Sequence, residues 1–369
     1  MIDPNNLDCV KLGVYTDASM CAGAEVAARE LVAALPPSIR TVVLGPNWDV
    51  ISHIAAGGSH TRAVQVPPLH DKGDLTNWLR VRRELRDLDV LHLNKVDPGS
   101  LRYVEAVAHT TRGLAVVSVV HCVQPITSNI AHRLCRALAR RADAVVAVGN
   151  APAIELADHL GIAAGAIDVI PNAVSGRSSI PRTRPSRFTV GVLARFVSRK
   201  RVGLLVEAVA KAPGVQLLLG GDGPEREPLE ALAVRLGIQD RTTFLGWVEP
   251  SEVLHYSTIL ASSSDLESHP ISFLEAQHAG LPIVASNVGA VGDIVQHGLN
   301  GLLVSAGDSA EAYACAIRRL QDDEDLLGEL ERGAVVSASA ARPDLMASHY
   351  VGCYRIAIAR CRKHGVGNA

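Results

Sequence analysis

No apolar run in this 369-residue chain approaches the ~18 residues that a membrane-spanning helix needs. The opening stretch, MIDPNNLDCV, lacks the basic and apolar segments of a secretory signal. The seven cysteines, at positions 9, 21, 122, 135, 315, 353 and 361, are odd in number, scattered and free of any C-x-x-C spacing. That disfavours a zinc site or a disulfide framework, and buried or free thiols in a reducing cytosol are expected. A formal net charge of −2 supplies no general attraction to nucleic acid or to an anionic membrane. The turn TDASMCAGAE holds one glycine, Gly23, so a G-x-G-x-x-G dinucleotide fingerprint is missing. GGDGPERE (220–227) is rich in glycine but lacks the G-x-x-x-x-G-K-[ST] form of a P-loop.

What is present is a globular composition, 48% hydrophobic and 20% charged, in a chain long enough for two domains. Short apolar runs alternate with amphipathic ones. LGVYT, IRTVVLG, RAVQVPP, DVLHLN, LAVVSVVH, DAVVAVG and IDVIPNAV read as strands of the first half. The stretch SGRSSIPRTRPSR then carries a linker composition. The pattern restarts with RFTVGVLARF, VQLLLGG, TTFLGWV, LASSS, LPIVASNV and GLLVSA. Strands separated by helical runs imply βαβ units, so the expected fold class is α/β, with two doubly wound, Rossmann-like domains facing across a cleft. The expected boundaries are 1–176, a linker at 177–187, and 188–345, with a closing helix at 346–369 joining the first domain.

Several residues sit where such a fold places its chemistry. Glu267 and Glu275 are separated by seven residues in SSSDLESHPISFLEAQHAG, with Pro270 suited to the first turn of a helix. One carboxylate precedes that helix and the other lies about a turn and a half inside it. Free amides at a helix start attract phosphates, and flanking carboxylates suit sugar or ribose hydroxyls. On spacing alone a surface helix with a glutamate near its positive end is the better fit, and the rest of the chain decides. Arg195 and Lys200 follow the strand TVGVL and suit a diphosphate, although a solvated basic loop has the same composition. His92 and His121 each end a strand, where either a cleft-facing or a core role is open. QDDEDL (321–326) is better explained by helix capping than by Mg²⁺. RVRRELRDLD and HRLCRALARRAD carry basic faces without an aromatic anchor, which reads as solvation rather than lipid contact.

The ordered set GAEVAARELVAAL, DVLHLN, VVH, VIPNAV, the R-x-x-x-x-K of Arg195 and Lys200, GGDGP, FLGWV, E-x7-E, EAQHAGLPIVASNVG and GLNGLLV resembles the GT-B-fold retaining glycosyltransferases of family 4. The resemblance runs from about Leu12 to Leu320. It implies that Arg195 and Lys200 grip the diphosphate of a nucleotide-sugar donor and that Glu275 meets the ribose. Glu267 and the amides of His269, Ile271 and Ser272 would approach the donor sugar, His121 would face it, and Gly23 would close over it. The base would lie near Val248. Two departures stand out: Glu-Ser-His-Pro, in which Pro270 removes an amide, and Ala22-Gly23, where relatives carry a glycine pair.

The family reading implies a cytoplasmic, metal-independent, retaining transfer that uses no cofactor, with UDP ahead of GDP. The expected acceptor is small and soluble, such as a cyclitol, aminosugar or natural-product core, and no nucleic-acid partner or peripheral membrane contact is expected. A lipid-linked or polysaccharide acceptor used with a GDP-sugar is one alternative. A non-catalytic nucleotide-sugar-binding protein is another, and an epimerase or phosphorylase on a similar fold is a third.

Overall fold

The computed structural model describes residues 10–69, 74–124, 126–176 and 184–366. The chain forms two compact units. The first comprises Met1–Ala173 and Arg342–Ala369, and the second Val174–Ala341. In unit 1 the elements begin with β1 (Val10–Tyr15), α1 (Gly23–Ala34), β2 (Ile39–Gly45), α2 (Trp48–Ala55), β3 (Thr61–Gln65) and α3 (Leu75–Leu85). They continue with β4 (Val90–Lys95), α4 (Arg102–Ala108), β5 (Ala115–Val120), α5 (Asn129–Arg141), β6 (Ala144–Ala147), α6 (Asn150–Leu160) and β7 (Ile167–Val169). Unit 2 opens with β8 (Thr189–Leu193), α7 (Val202–Ala210), β9 (Gln216–Gly220), α8 (Arg226–Arg235), β10 (Thr242–Gly246) and α9 (Pro250–Leu254). It closes with β11 (Ile259–Ser262), α10 (Ile271–His278), β12 (Ile283–Ser286), α11 (Val291–Ile294), β13 (Gly301–Val304), α12 (Ala310–Asp322) and α13 (Glu324–Ala338). The last helix, α14 (Pro343–Val366), returns to unit 1.

Each unit is a fully parallel sheet. The strand order is β3-β2-β1-β4-β5-β6-β7 in the first and β10-β9-β8-β11-β12-β13 in the second. Counted within its own unit, each runs 3-2-1-4-5-6, the doubly wound order, with a seventh strand added to the first. The sequence supports this because strands covered by helices on both faces need continuous apolar runs, not alternation. All six residues of β5, AVVSVV, are buried. One face of the first sheet packs on Ala28 and Leu31 of α1, Ile51 and Ile54 of α2, and Tyr350 and Tyr354 of α14. The other packs on Val81 and Leu85 of α3 and Val104 and Val107 of α4. In each sheet the order reverses at one point, beside β1 and β4 in unit 1 and beside β8 and β11 in unit 2. Ligands of open α/β sheets bind at the carboxyl ends of strands flanking such a point.

The apolar stripe of α14 recurs at helical spacing: Met346, Ala347, Tyr350, Cys353, Tyr354, Ala357 and Ile358 are all buried. The helix starts at Pro343, ahead of the expected 346, because proline suits the first helical turn. The expected linker at 177–187 lies for its first part, 177–183, outside the described residues. Between Asp322 and Glu324 the QDDEDL stretch changes helix, and Asp323 accepts a capping hydrogen bond from the Leu326 amide at 2.9 Å. Pro270 is the residue before α10 and not its first turn, with extended backbone at φ −68°, ψ 122°.

Candidate functional site

At the reversal point of unit 2, the loop after β8 meets the loop after β11. Lys200 ends a short 3₁₀ turn, Ser198–Lys200, and its Nζ lies 2.5 Å from Glu267 Oε1. Ser264 Oγ donates to the same carboxylate oxygen at 2.7 Å. The two loops are also stitched through the backbone. Ser263 Oγ donates to the carbonyls of Lys200 (3.1 Å) and Arg201 (2.8 Å), and the Asp265 amide donates to the Arg199 carbonyl (2.9 Å). Arg201 takes the left-handed conformation, φ 47°, and pairs with Asp265 at 3.1 Å. From the far side, the Ala290 amide donates to the Glu267 carbonyl at 2.9 Å. Gly289, at φ 53°, sits so close that a Cβ there would come 2.0 Å from that carbonyl oxygen. Only glycine fits both the backbone angle and the approach.

Arg195 lies on the same loop as Lys200, exposed and with no side-chain partner among the described residues. Its backbone is held by the GGDGP turn. The Phe196 amide donates to the Asp222 carbonyl (2.8 Å), and the Glu225 amide donates to the Phe196 carbonyl (3.1 Å). At Gly221, φ 141°, a Cβ would meet the Ala194 carbonyl oxygen at 1.9 Å, so the turn lies directly on the strand end that carries Arg195. Val248 packs beside Gly220. The arrangement leaves one guanidinium free and one ammonium paired with a half-buried carboxylate. Such a pair of cations stabilises charge developing on a diphosphate.

Helix α10 follows the Glu267 loop. The Phe273 amide turns back to the Pro270 carbonyl at 3.2 Å, while the amides of Ile271 and Ser272 precede the first intrahelical bond. Glu275 is the fifth helical residue and is half-buried. His269 is 8% exposed, and burial lowers its pKa to about 4 against the opposing pull of Asp293.

The reversal point of unit 1 carries a second polar network. Glu25, in the first turn of α1, is 1% exposed, and its carboxylate accepts from Thr16 Oγ1 (3.0 Å) and the Ala22 amide (3.2 Å). Asn94 on β4 donates from Nδ2 to the Ala24 carbonyl (3.3 Å) and to Glu25 Oε1 (3.4 Å). Its Oδ1 lies 2.7 Å from Nε2 of His121, the residue after β5. Desolvation lowers the His121 pKa to about 4, so the ring is neutral at pH 7. Gly23 is the first residue of α1. His92 belongs to the core instead. It is 1% exposed within β4, and its Nδ1 lies 2.8 Å from the Tyr354 hydroxyl of α14.

Comparison with known proteins gives this geometry a family. Residues 22–175 match the model of Glycosyltransferase Family 4, and residues 179–334 that of Glycosyl transferases group 1. The 2-deoxystreptamine glucosyltransferase of Streptomyces kanamyceticus is 30% identical over 294 residues, 70% of this chain and 75% of that protein. The chain is a group 1, family 4 glycosyltransferase.

Among solved structures, HepE from Anabaena in complex with UDP superposes with a TM-score of 0.80 at 21% identity, over 92% of this chain and 98% of that one. The shared architecture is the GT-B fold, two Rossmann-like domains in one chain. LpsD, a lipopolysaccharide core biosynthesis glycosyltransferase of Rhizobium meliloti, is 35% identical over 174 residues, 45% of this chain and 50% of LpsD. The matches span half or less of the length of the first curated relatives, LpsD among them.

Within this glycosyltransferase, Arg195, Lys200, Glu267, His269, Ile271, Ser272, Glu275 and Val248 all lie in unit 2, while Gly23 and His121 lie in unit 1. Lys200 and Glu267 touch, and Arg195 shares the Lys200 loop without a side-chain partner among the described residues. Sequence reading passes over Ser263, Ser264 and Gly289 on one side and over Thr16, Glu25 and Asn94 on the other. A positional signal exists for Thr16, Ser263 and Ser264, which lie just past the ends of β1 and β11 beside a reversal point, whereas Asn94 is inside β4, Glu25 is in the first turn of α1 and Gly289 follows β12. Among the described residues no group of three or more His, Cys, Asp or Glu converges as a metal site would require, and no helix is long and apolar enough to cross a membrane.

Proposed function

We propose that this glycosyltransferase moves a hexosyl or N-acetylhexosaminyl group from a UDP-sugar to a hydroxyl of a small soluble acceptor, with retention at the anomeric carbon. The observation that carries the reading is the Lys200–Glu267 pair with the unpartnered Arg195 on the Lys200 loop. A diphosphate entering here finds a planar fork of donors in Arg195. It draws the Lys200 ammonium from Glu267, which frees that carboxylate for sugar hydroxyls. The amides of Ile271 and Ser272 add fixed dipoles, and Glu275 is placed for the ribose. In the transfer step the bond from C1 to the diphosphate oxygen breaks, and the acceptor oxygen bonds C1 on the same face. The acceptor proton passes to the departing phosphate oxygen, so no strong protein base is needed. Two cations supply the charge stabilisation that a divalent metal would otherwise give, and the proposed reaction needs no metal or other cofactor. A cytoplasmic location accords with a nucleotide-sugar donor.

The acceptor class rests on the 2-deoxystreptamine named for the Streptomyces relative and on a net charge of −2. A lipid-linked or polysaccharide acceptor with a GDP-sugar is the second reading. It is favoured by Leu75 and Leu79, 71% and 63% exposed on α3 beside Arg80 and Arg83. Thermal shift across a panel of nucleotide sugars identifies the donor, since a ligand that binds only the folded state raises the melting point. Mass spectrometry and NMR coupling constants of the product then identify the acceptor and the anomer. UDP-sugar binding, nucleotide release only with acceptor present, retained configuration and insensitivity to chelator support the proposal. Release without acceptor, dependence on free phosphate, an inverted product or loss of activity in chelator contradicts it.

A further inference from the structure

Three buried polar residues form a hydrogen-bonded chain that reaches His121 through Asn94. Thr16 is 1%, Glu25 1% and Asn94 0% exposed, and burying such groups is tolerated only when their hydrogen bonds are made. The donor and acceptor inventory of this network has one solution. The Ala24 carbonyl can only accept, so the Asn94 atom facing it at 3.3 Å is the amide nitrogen. Asn94 Oδ1 therefore faces His121 Nε2 at 2.7 Å, and that nitrogen carries the proton. Glu25 in turn accepts from Thr16 Oγ1, the Ala22 amide and Asn94 Nδ2, which fixes the amide against flipping. Thr16 Oγ1 cannot turn away, because it accepts from the Ala18 amide at 3.2 Å. His121 Nδ1 has no partner among the described residues.

We propose that Asn94 and Glu25 are positioning residues that lock His121 in the Nε2–H tautomer, so that Nδ1 meets a sugar hydroxyl as an acceptor only. The proposal deepens the sugar-transfer reading, from which the role of His121 toward a sugar is taken, but the lock itself is a property of unit 1. A neutral imidazole with one nitrogen committed orients a hydroxyl without competing for the proton that the reaction moves elsewhere. The titratable groups around the lock are Glu25, whose pKa is raised mainly by burial and further by Asp17, and His92, whose own pKa is lowered mainly by burial and further by His121.

The test uses full-length protein labelled with ¹⁵N-histidine, the His121 signals being assigned by their loss in His121→Gln. Long-range ¹H–¹⁵N spectra without substrate read the tautomer directly. The expected wild-type pattern is Nε2–H alone down to pH 5. In Asn94→Asp the new carboxylate raises the His121 midpoint by about 2 units. In Asn94→Leu the lock is gone and both tautomers, or a displaced ring, appear. In either variant kcat falls on the order of 10²-fold while the donor KM moves only a few-fold. A wild-type Nδ1–H pattern overturns the proposal, as does an Asn94→Leu protein with unchanged spectra and kcat. If Asn94→Leu does not fold, an Asn94→Asp protein whose His121 midpoint stays at the wild-type value overturns it equally. A wild-type protein that shows the Nε2–H pattern but transfers no sugar overturns the assigned function and leaves the lock supported.

Discussion

His92 and His269 are buried as neutral imidazoles, and burial is the leading cause of their lowered pKa values, about 3 and about 4. Unfolding releases each ring to its ordinary value near 6.5. Above that pH neither state binds the proton, and the stability is fully present. As pH falls from about 6.5 toward 4 the unfolded chain binds protons that the native state refuses, and stability is lost. Denaturant melts between pH 7.5 and 4.5 should show this loss, with a slope of up to ~1.4 kcal/mol per pH unit for each proton of difference. Replacing His92 by Gln should flatten part of that slope, and a slope unchanged in this variant contradicts the assignment. The Tyr354 hydroxyl at His92 Nδ1 explains why His92, the weaker of the two histidine candidates in the sequence, belongs to the core.

At the scale of elements, the site of unit 2 is three loops pinned to one another, and Gly289 is the pin that tolerates least. Gly289→Ala must either leave φ 53° or push a methyl into the Glu267 carbonyl. A cost of ~1–3 kcal/mol is expected, read as a lower melting temperature together with a raised donor KM. An alanine variant with wild-type Tm and KM would show that the Asn287–Ala290 loop does not hold Glu267.

The strands were legible because most are short apolar runs closed by Gly, Pro or a polar turn. DVLHLN and LPIVASNV are examples, and they became β4 and β12. Helix α2, WDVISHIA, was passed over although Asn47 signals its start by accepting from the Asp49 and Val50 amides. The role of Ser263 could not be read locally, because it bonds to carbonyls 62 and 63 residues away. Only the order of the strands brings those loops together, and periodicity does not carry that information.

At the scale of the molecule, unit 1 is assembled from the two ends of the chain and unit 2 from its middle. The four large buried side chains of α14, Met346, Tyr350, Tyr354 and Ile358, are worth ~1.5–3 kcal/mol each by the usual burial scale. Together they approach the whole ~5–15 kcal/mol that holds a domain folded. A chain ending at Ala341 should therefore lose the protease resistance and near-ultraviolet dichroism of unit 1, while the continuous unit 2 keeps its own. A truncated protein whose unit 1 resists protease as the full chain does would contradict this. The sequence pattern led to α14 as a helix, and in the structure its apolar stripe joins Ala28 of α1 and Ile51 and Ile54 of α2 in the core of unit 1.

The account stands most directly on Lys200. Its ammonium lies 2.5 Å from Glu267, beside the unpartnered Arg195, where the leaving diphosphate is proposed to gain charge. The decisive measurement is the steady-state turnover of Lys200→Ala with the donor and acceptor identified by the screen, alongside circular dichroism of the same preparation. The expected result is a fall in kcat on the order of 10²–10³-fold with the folded spectrum retained. Near-normal transfer by a folded Lys200→Ala protein would contradict it.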